Sequence, residues 1–234
     1  MRILAIIPAR GGSKGIPRKN LLDVNGLPLV AHSVRHALAA DVIDRVVVST
    51  DDEEIRAVAV AYGAEVPFLR PTEIAQDQTL DLPVFEHALR FLDDTEGYRP
   101  DLVVHLRPTA PVRRPEWIDQ AVLLLANDPE ADSVRSVSPP DKHPYRIFRI
   151  GSDGYLDSIM KHEHPVPYLL RRQELPAMYY YNCVIDVTRP RTIFGKRSMT
   201  GDRMLPFVMS ADESFDIDSP RDLEIVRLFA GRFQ

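Results

Sequence analysis

The sequence holds a single cysteine, Cys183, which excludes an internal disulfide framework and a multi-cysteine zinc site. No apolar run approaches the roughly 18 residues that a membrane-spanning helix needs. Repeats and low-complexity tracts are absent, and the 20 prolines are scattered. Positive charge is not in excess: 29 Lys and Arg face 34 Asp and Glu, a formal net charge of −5, where a nucleic-acid surface would ordinarily need the opposite balance. The opening run Met1-Arg2-Ile3-Leu4-Ala5-Ile6-Ile7-Pro8 is too short for a secretory signal and reads as a first buried strand. The expectation is a cytoplasmic protein with no membrane and no nucleic-acid partner. With 234 residues, 44% hydrophobic and 27% charged, the chain is long enough to bury a full core as one domain over 1–234.

Three runs, 3–7, 45–49 and 102–106, are rich in β-branched residues and leucine without polar alternation, as in strands covered on both faces. Between them, apolar residues recur at three and four positions over 29–38 and 55–62, the second stretch stopping at Gly63. Further helices are expected over 83–91, opening on Pro83, and over 117–125. This order predicts an α/β fold: a Rossmann-like, mostly parallel mixed sheet with helices on both faces. Over 139–176 the helical period fades and prolines, histidines and arginines crowd together, with a hairpin turn at Gly151-Ser152-Asp153-Gly154. About 40 residues make a poor core alone, so this segment is an insertion rather than a domain. The main fold resumes with 183–187, and a last helix starts at Ser219-Pro220-Arg221-Asp222 and ends at Gly231.

The strongest chemical signal follows the first strand: Arg10-Gly11-Gly12-Ser13-Lys14-Gly15, then Lys19-Asn20. Glycines let backbone N–H groups approach a phosphate, and Arg10, Lys14 and Lys19 can neutralise a triphosphate. On spacing alone the stretch is either such a cradle or a glycine-rich surface turn. Its glycine spacing is not the dinucleotide fingerprint, which weakens a dehydrogenase reading, and it lacks the Gly-Lys-Ser/Thr ending of a P-loop.

The run Ile7-Pro8-Ala9-Arg10-Gly11-Gly12-Ser13-Lys14-Gly15 with Lys19-Asn20 closely resembles the opening of the acylneuraminate cytidylyltransferases (CMP-sialic acid synthetases). The resemblance continues in order through Ser49-Thr50-Asp51, Leu69-Arg70-Pro71, Arg107-Pro108-Thr109-Ala110-Pro111-Val112-Arg113, Arg172-Gln173-Glu174-Leu175-Pro176, Asn182 and Phe215-Asp216-Ile217-Asp218. It implies transfer of a nucleoside monophosphate from a nucleoside triphosphate to a 2-keto-3-deoxy sugar acid, with release of pyrophosphate. The loop Arg10, Gly11, Gly12, Ser13 and Lys14 with Lys19 would hold the triphosphate, Lys19 stabilising the reacting phosphate, and Asn20 would sit beside the nucleotide. Arg70 and the backbone near Thr79 would face the base. Arg107, Thr109, Arg172, Gln173 and Asn182 would surround the sugar acid, and Asp216 and Asp218 would hold Mg2+. A homodimer is implied, in which the 139–176 arm crosses over and Arg146, in place of a lysine, reaches the partner's site. Tyr145, Ile147, Phe148, Tyr155 and Leu156 on that arm need a partner surface.

Two departures bear on specificity. Arg107 replaces a glutamine of the family, making a mixed hydrogen-bonding group donor-only. Asp81 replaces a serine near the base, and 77–83 looks somewhat like the branch that uses GTP with legionaminic acid. The reading is therefore CTP as donor, with GTP or another keto-sugar acid as the alternative and a non-catalytic nucleotide or sugar sensor as the competitor from another class. The acids Asp216 and Asp218, two apart, would share a side if extended, offering hard oxygen donors for magnesium. The alternative is solvated acids at a helix start, against which apolar Phe215 and Ile217 favour a buried strand end. His143, His162 and His164 read as loop histidines, Cys183 as a small buried residue, and Tyr179-Tyr180-Tyr181 mainly as packing. Arg113-Arg114 reads as a solvated pair.

Overall fold

Strand β1 (Ile3–Pro8) sends Ile3, Ala5 and Ile7 into one apolar cluster and Leu4 and Ile6 into another. The pleat points successive side chains to opposite faces, so an uninterrupted apolar run demands cover on both. The computed structural model describes residues 1–13, 15–161 and 163–230. After β1 come the small hairpin β2 (Asp23–Val24) and β3 (Leu27–Pro28), α1 (Leu29–Ala39), β4 (Arg45–Ser49) and α2 (Glu53–Ala61). Then follow α3 (Asp81–Glu96), β5 (Leu102–His105), α4 (Pro115–Ala126) and β6 (Ser133–Ser138). The chain continues through the hairpin β7 (Phe148–Ile150) and β8 (Leu156–Ser158), then β9 (Tyr180–Thr188), α5 (Pro190–Gly195), β10 (Met204–Val208) and α6 (Pro220–Ala230).

The main sheet has six strands in the order β10-β6-β9-β5-β1-β4. The pairs β1–β4, β1–β5 and β6–β10 are parallel, and β9 runs antiparallel between β5 and β6. Helices α1, α2 and α4 cover one face through Val30, Val34, Ile55, Ala59, Ile118 and Val122. Helices α3 and α5 cover the other through Phe85, Leu89, Leu92 and Ile193. The expected mixed, mostly parallel α/β sheet is thus the observed one.

Helix boundaries follow local chemistry. Asp52 caps α2, accepting from the N–H groups of Glu54 and Ile55. Ser219 and Asp222 form a reciprocal box at α6: Asp222 N–H donates to Ser219 Oγ (3.3 Å) and Ser219 N–H to Asp222 Oδ2 (2.7 Å). Gly231, the expected terminator, lies outside the described residues. Helix α3 begins at Asp81, two residues before Pro83. A proline at the third helical position still removes only an N–H without an intrahelical partner, and an acid at the first suits the helix dipole.

A third apolar cluster joins Ile16 of the glycine-rich loop to Ile217, Val112 and Val226. Burying Ile16 and Ile217 together brings the cation loop against the acidic segment before α6, although 198 residues separate Lys19 from Ile217. The segment 214–218 is not a strand, contrary to the expected strand end; the Ile217 N–H is instead tied to the Thr109 carbonyl (2.9 Å).

Candidate functional site

The carboxyl ends of parallel strands β1 and β5 open into a pocket of about 270 Å³, whose walls include Pro8 and Arg107. Of the residues singled out from sequence, Arg10, Gly12, Ser13, Lys19, Asn20, Arg70, Thr79, Asp81, Arg107 and Thr109 line it. Lys14 lies outside the described residues. Arg172 instead lines a separate cavity with Pro140 and His143, donating to the Pro140 carbonyl (3.2 Å), and Gln173 is exposed beside it on the arm. Arg146 donates to the Leu170 carbonyl (2.6 Å), within the arm. Asn182 is buried in the sheet, its amide given to Ser138 Oγ (2.8 Å) and Met209 Sδ, so it does not face this pocket.

The loop is held from below. Gly11 N–H donates to Asp51 Oδ1 (2.9 Å), and a Cβ at Gly11 would come within 2.6 Å of Asp52 Oδ2. Gly11 is therefore required by the cap of α2, whereas nothing lies within 4 Å of a Cβ built at Gly12, which borders the pocket. Asn20 Nδ2 donates to the Arg10 carbonyl (2.9 Å), and Lys19 Nζ donates to the Ile217 carbonyl (2.7 Å).

Among the described residues each cation of the pocket except Arg70 meets an acid from another element. Arg10 pairs with Asp77 (2.8 Å), and Lys19 with Asp218 (3.4 Å). Arg107 reaches both Asp81 (2.8 Å) and Asp186 (2.6 Å). Burial opposes the Arg107 charge, but the two carboxylates outweigh it and hold its pKa above the ordinary guanidinium value. Arg70 donates to the Ser49 hydroxyl and carbonyl; burial lowers its pKa to about 10. Asp216 has a buried Oδ1 without a hydrogen-bond partner, and burial pushes its carboxyl up. Asp218 is exposed. Among the described residues no group of three or more His, Cys, Asp or Glu is arranged to hold a metal ion.

Behind Arg107 lies a network that sequence reasoning missed. Asp186 has no exposed surface and accepts from Arg107, pairs with Arg135 (3.3 Å) and receives the Tyr181 hydroxyl. His105 sits 3.8 Å from it, kept neutral first by burial and then by the surrounding arginines. Tyr181 reaches Asp186 because β9 bulges: two steps along β6, from Arg135 to Val137, oppose five along β9, from Asp186 to Tyr181. Cys183 stands in that bulge at φ 61, half-buried rather than buried, with burial pushing its thiol up. Tyr179 and Tyr180 are 51% and 43% exposed, so packing holds only part of each, and the Tyr180 hydroxyl meets Ser214 Oγ (3.1 Å). A lone acid in the apolar run 183–187, facing an arginine within β6, was the available signal, since a charge inside a buried strand needs a partner.

Arg113 corrects the expectation of a solvated pair. It is 1% exposed and donates to the Val184 carbonyl (2.9 Å), Ser33 Oγ (3.3 Å) and the Arg107 carbonyl (3.2 Å). Arg114 alone is exposed, stacked over Trp117 and paired with Glu213 (3.6 Å).

An open sheet covered on both faces, with a cation-bearing loop after its first strand and a cleft at the strand ends, defines an α/β protein built to receive an anionic ligand above the sheet. The cytidylyltransferase family description matches residues 4–224, and the chain belongs to that family. It is 38% identical over 223 residues to the CMP-N,N'-diacetyllegionaminic acid synthase of Legionella pneumophila, covering 95% of this chain and 93% of that protein. It is 32% identical over 224 residues to an N-acylneuraminate cytidylyltransferase of Escherichia coli, covering 96% of this chain but 51% of that protein. In fold it is similar to CMP:2-keto-3-deoxy-manno-octonic acid synthetase complexed with CTP, with a TM-score of 0.72, 19% identity and 99% of both chains covered.

The Asp186 network yields a stability test. Asp186→Asn leaves Arg107 and Arg135 close together without the carboxylate that separates them, and is expected to cost about 3 kcal/mol in urea unfolding. A loss below about 0.5 kcal/mol would show that the network holds nothing together.

Proposed function

We propose that this protein joins the cytidylyl group of CTP to the anomeric hydroxyl of a nonulosonic acid of the sialic, legionaminic or pseudaminic type, releasing pyrophosphate, in the cytoplasm. The observation that carries the reading is the gathering of Arg10, Lys19, Arg70 and Arg107 around one cleft at the strand ends. The family match and the near full-length Legionella relative, named for a CMP-sugar acid, supply the substrate class.

Asp81 bears on the base. One of its oxygens is taken by Arg107 Nη2, so the carboxylate is not free to accept the N1–H and N2–H pair of guanine. That supports CTP over GTP, with the backbone near Thr79 reading the base. In the reaction, the sugar hydroxyl oxygen forms a bond to the α-phosphorus and the bond to the bridging α–β oxygen breaks, pyrophosphate carrying the electron pair away. The hydroxyl proton passes to water. Arg10 exchanges Asp77 for phosphate oxygens, and Lys19 places its ammonium where charge accumulates on the α-phosphoryl group. Arg107, anchored on Asp186, presents donors to the sugar acid.

The orphaned Oδ1 of Asp216 and the exposed carboxylate of Asp218 beside Lys19 are hard oxygen donors and fit a divalent cation such as Mg2+. Bound there with the triphosphate, it would supply neutralising charge that the paired cations cannot.

The arm has its own proposal: a homodimer in which Arg146, Arg172 and Gln173 complete the partner's sugar site. Ile150, Tyr155 and Leu156 of the β7–β8 hairpin are 66–76% exposed, while Tyr145 is covered within the chain. Light scattering at micromolar concentration is expected to give twice the monomer mass; a monomer with full activity would overturn this.

Pyrophosphate release from each nucleoside triphosphate against several 2-keto-3-deoxy sugar acids tests the main reading. Turnover with CTP should exceed that with GTP by at least about tenfold; no pyrophosphate release with any of the sugar acids would leave a binding protein. Asp218→Asn, which keeps shape but removes charge, should lower kcat at least about 100-fold, roughly 2.7 kcal/mol of barrier. Near-native turnover of that variant, or of chelator-treated enzyme, would remove the divalent ion from the account.

A further inference from the structure

A second cavity, of about 470 Å³, shares no lining residue with the pocket above. His32, Arg35 and His36 enter it from α1, where positions three and four apart share a face. Arg113, Arg114 and Glu116 enter it from the start of α4. Positive and titratable groups therefore dominate its wall, and Glu116 is the one carboxylate there among the described residues.

Two of these groups keep hydrogen-bonding capacity that an anion would answer. Arg113 is buried, yet its three hydrogen-bond acceptors, two carbonyls and a hydroxyl, are all uncharged. A guanidinium has five N–H groups, so each Arg113 Nη keeps one N–H beyond those bonds. Burial, and then the nearby Arg107, lower its pKa to about 9, with Asp186 opposing them from a distance, so no carboxylate bonds this guanidinium directly. His36 Nδ1 is shielded from solvent and has no hydrogen-bond partner. His32, by contrast, is anchored: its Nε2 donates to the Val24 carbonyl (2.8 Å), which fixes the ring.

We propose that this cavity is a second binding site, for a small phosphoryl anion, held by Arg35, His36 and the remaining N–H groups of Arg113. A carboxylate offers two oxygens in one plane and suits a single guanidinium. Here the donors converge from two elements, α1 and the segment before α4, as the tetrahedral oxygens of a phosphoryl group require. Free phosphate and pyrophosphate share this chemistry.

Filling the site would move the titration of both imidazoles in a definite direction. On His36 act Arg113, His32 and Arg35; on His32 act Arg35 and Arg113, opposed by Asp23 from β2; Arg114 and Glu116 face both from the α4 side. Burial, and then these arginines, hold both imidazoles below the ordinary histidine value, so they are neutral near neutrality in the empty cavity. A bound anion reverses the local field and favours the imidazolium, so both rings titrate at higher pH when the site is filled.

The test is imidazole NMR on protein whose catalytic pocket is saturated with CTP, titrated with inorganic phosphate and separately with pyrophosphate. The His36 and His32 ring signals, assigned with His36→Asn and His32→Asn, are expected to shift and saturate, and the His36 ring to titrate at higher pH with the anion bound than without it. Arg35→Gln, an exposed helix position, should weaken phosphate about tenfold while leaving kcat within about twofold. The proposal is overturned if neither anion moves the His36 signal at about 20 mM, far above an ordinary small-anion affinity. It is equally overturned if Arg35→Gln binds like wild type, if the His36 ring titrates at the same pH with and without the anion, or if CTP abolishes the response, which would return the anion to the catalytic pocket.

Discussion

A carboxylate with no contact to solvent must be met by positive charge, and the meeting of Asp186 with Arg107, Arg135 and Tyr181 fixes the middle of this molecule. Asp186 on β9 pairs in register with His105 on β5 and with Arg135 on β6. A slip of one residue along β9 would turn the acid to the opposite face, among the apolar side chains that cover the sheet there. The cost of stranding one charge, about 3–5 kcal/mol, is a large share of the stability of an ordinary domain. Register across three strands is thus set by charge as well as by apolar packing, and the same contact aims Arg107 into the cleft.

The ion pairs around the cleft differ in strength by position. Arg10 and Asp77 keep 29% and 34% of their side-chain surface exposed, and Asp218 keeps 79% beside Lys19. Pairs so open to water contribute about 1 kcal/mol or less, because solvent screens them and side-chain entropy opposes them. The Arg107–Asp186 pair has 21% and 0% exposed. The outer cations can therefore exchange their acids for phosphate oxygens at small cost, while Arg107 cannot leave Asp186 cheaply. In the proposed reaction the first group follows the nucleotide and the second stays as a fixed feature of the sugar side. Since every described cleft cation but Arg70 already has an acid, an arriving triphosphate finds less net positive charge there than those arginines and Lys19 alone suggest, which is the electrostatic case for a divalent ion at Asp216 and Asp218.

The elements that sequence made legible are those whose signal is local. The buried runs of β1, β4 and β5, the cap at Ser219 and the turn at Gly151-Gly154 each depend on neighbours in the chain, and each was found where its residues placed it. The cation loop was legible for the same reason, although Gly11 proved to serve the cap of α2 as well. What stayed hidden required distant partners: Asp77 against Arg10, Asp186 against Arg107 and Arg135, and Arg113 folded inward beneath α1. The β9 bulge beside Asn182, announced by no glycine or proline, was hidden as well, as was the bond its amide gives to Ser138 across the sheet.

The inward turn of Arg113 also explains how an irregular segment can serve as a rigid wall. Between β5 and α4 the chain has no secondary structure, and Pro108 and Pro111 remove two N–H groups that would otherwise need partners. The Arg107 carbonyl accepts from Arg113 Nη2 and from Ser33 Oγ, both at 3.2 Å, while the Arg107 side chain spans Asp81 and Asp186. Two residues on, the Thr109 carbonyl accepts the Ile217 N–H (2.9 Å), tying the same segment to the acids before α6. Main chain and side chain at position 107 are thus held independently, from α1, α3 and β9, before any ligand arrives. Donors fixed in this way need no ordering when substrate binds, so their whole interaction is left to favour the bound state.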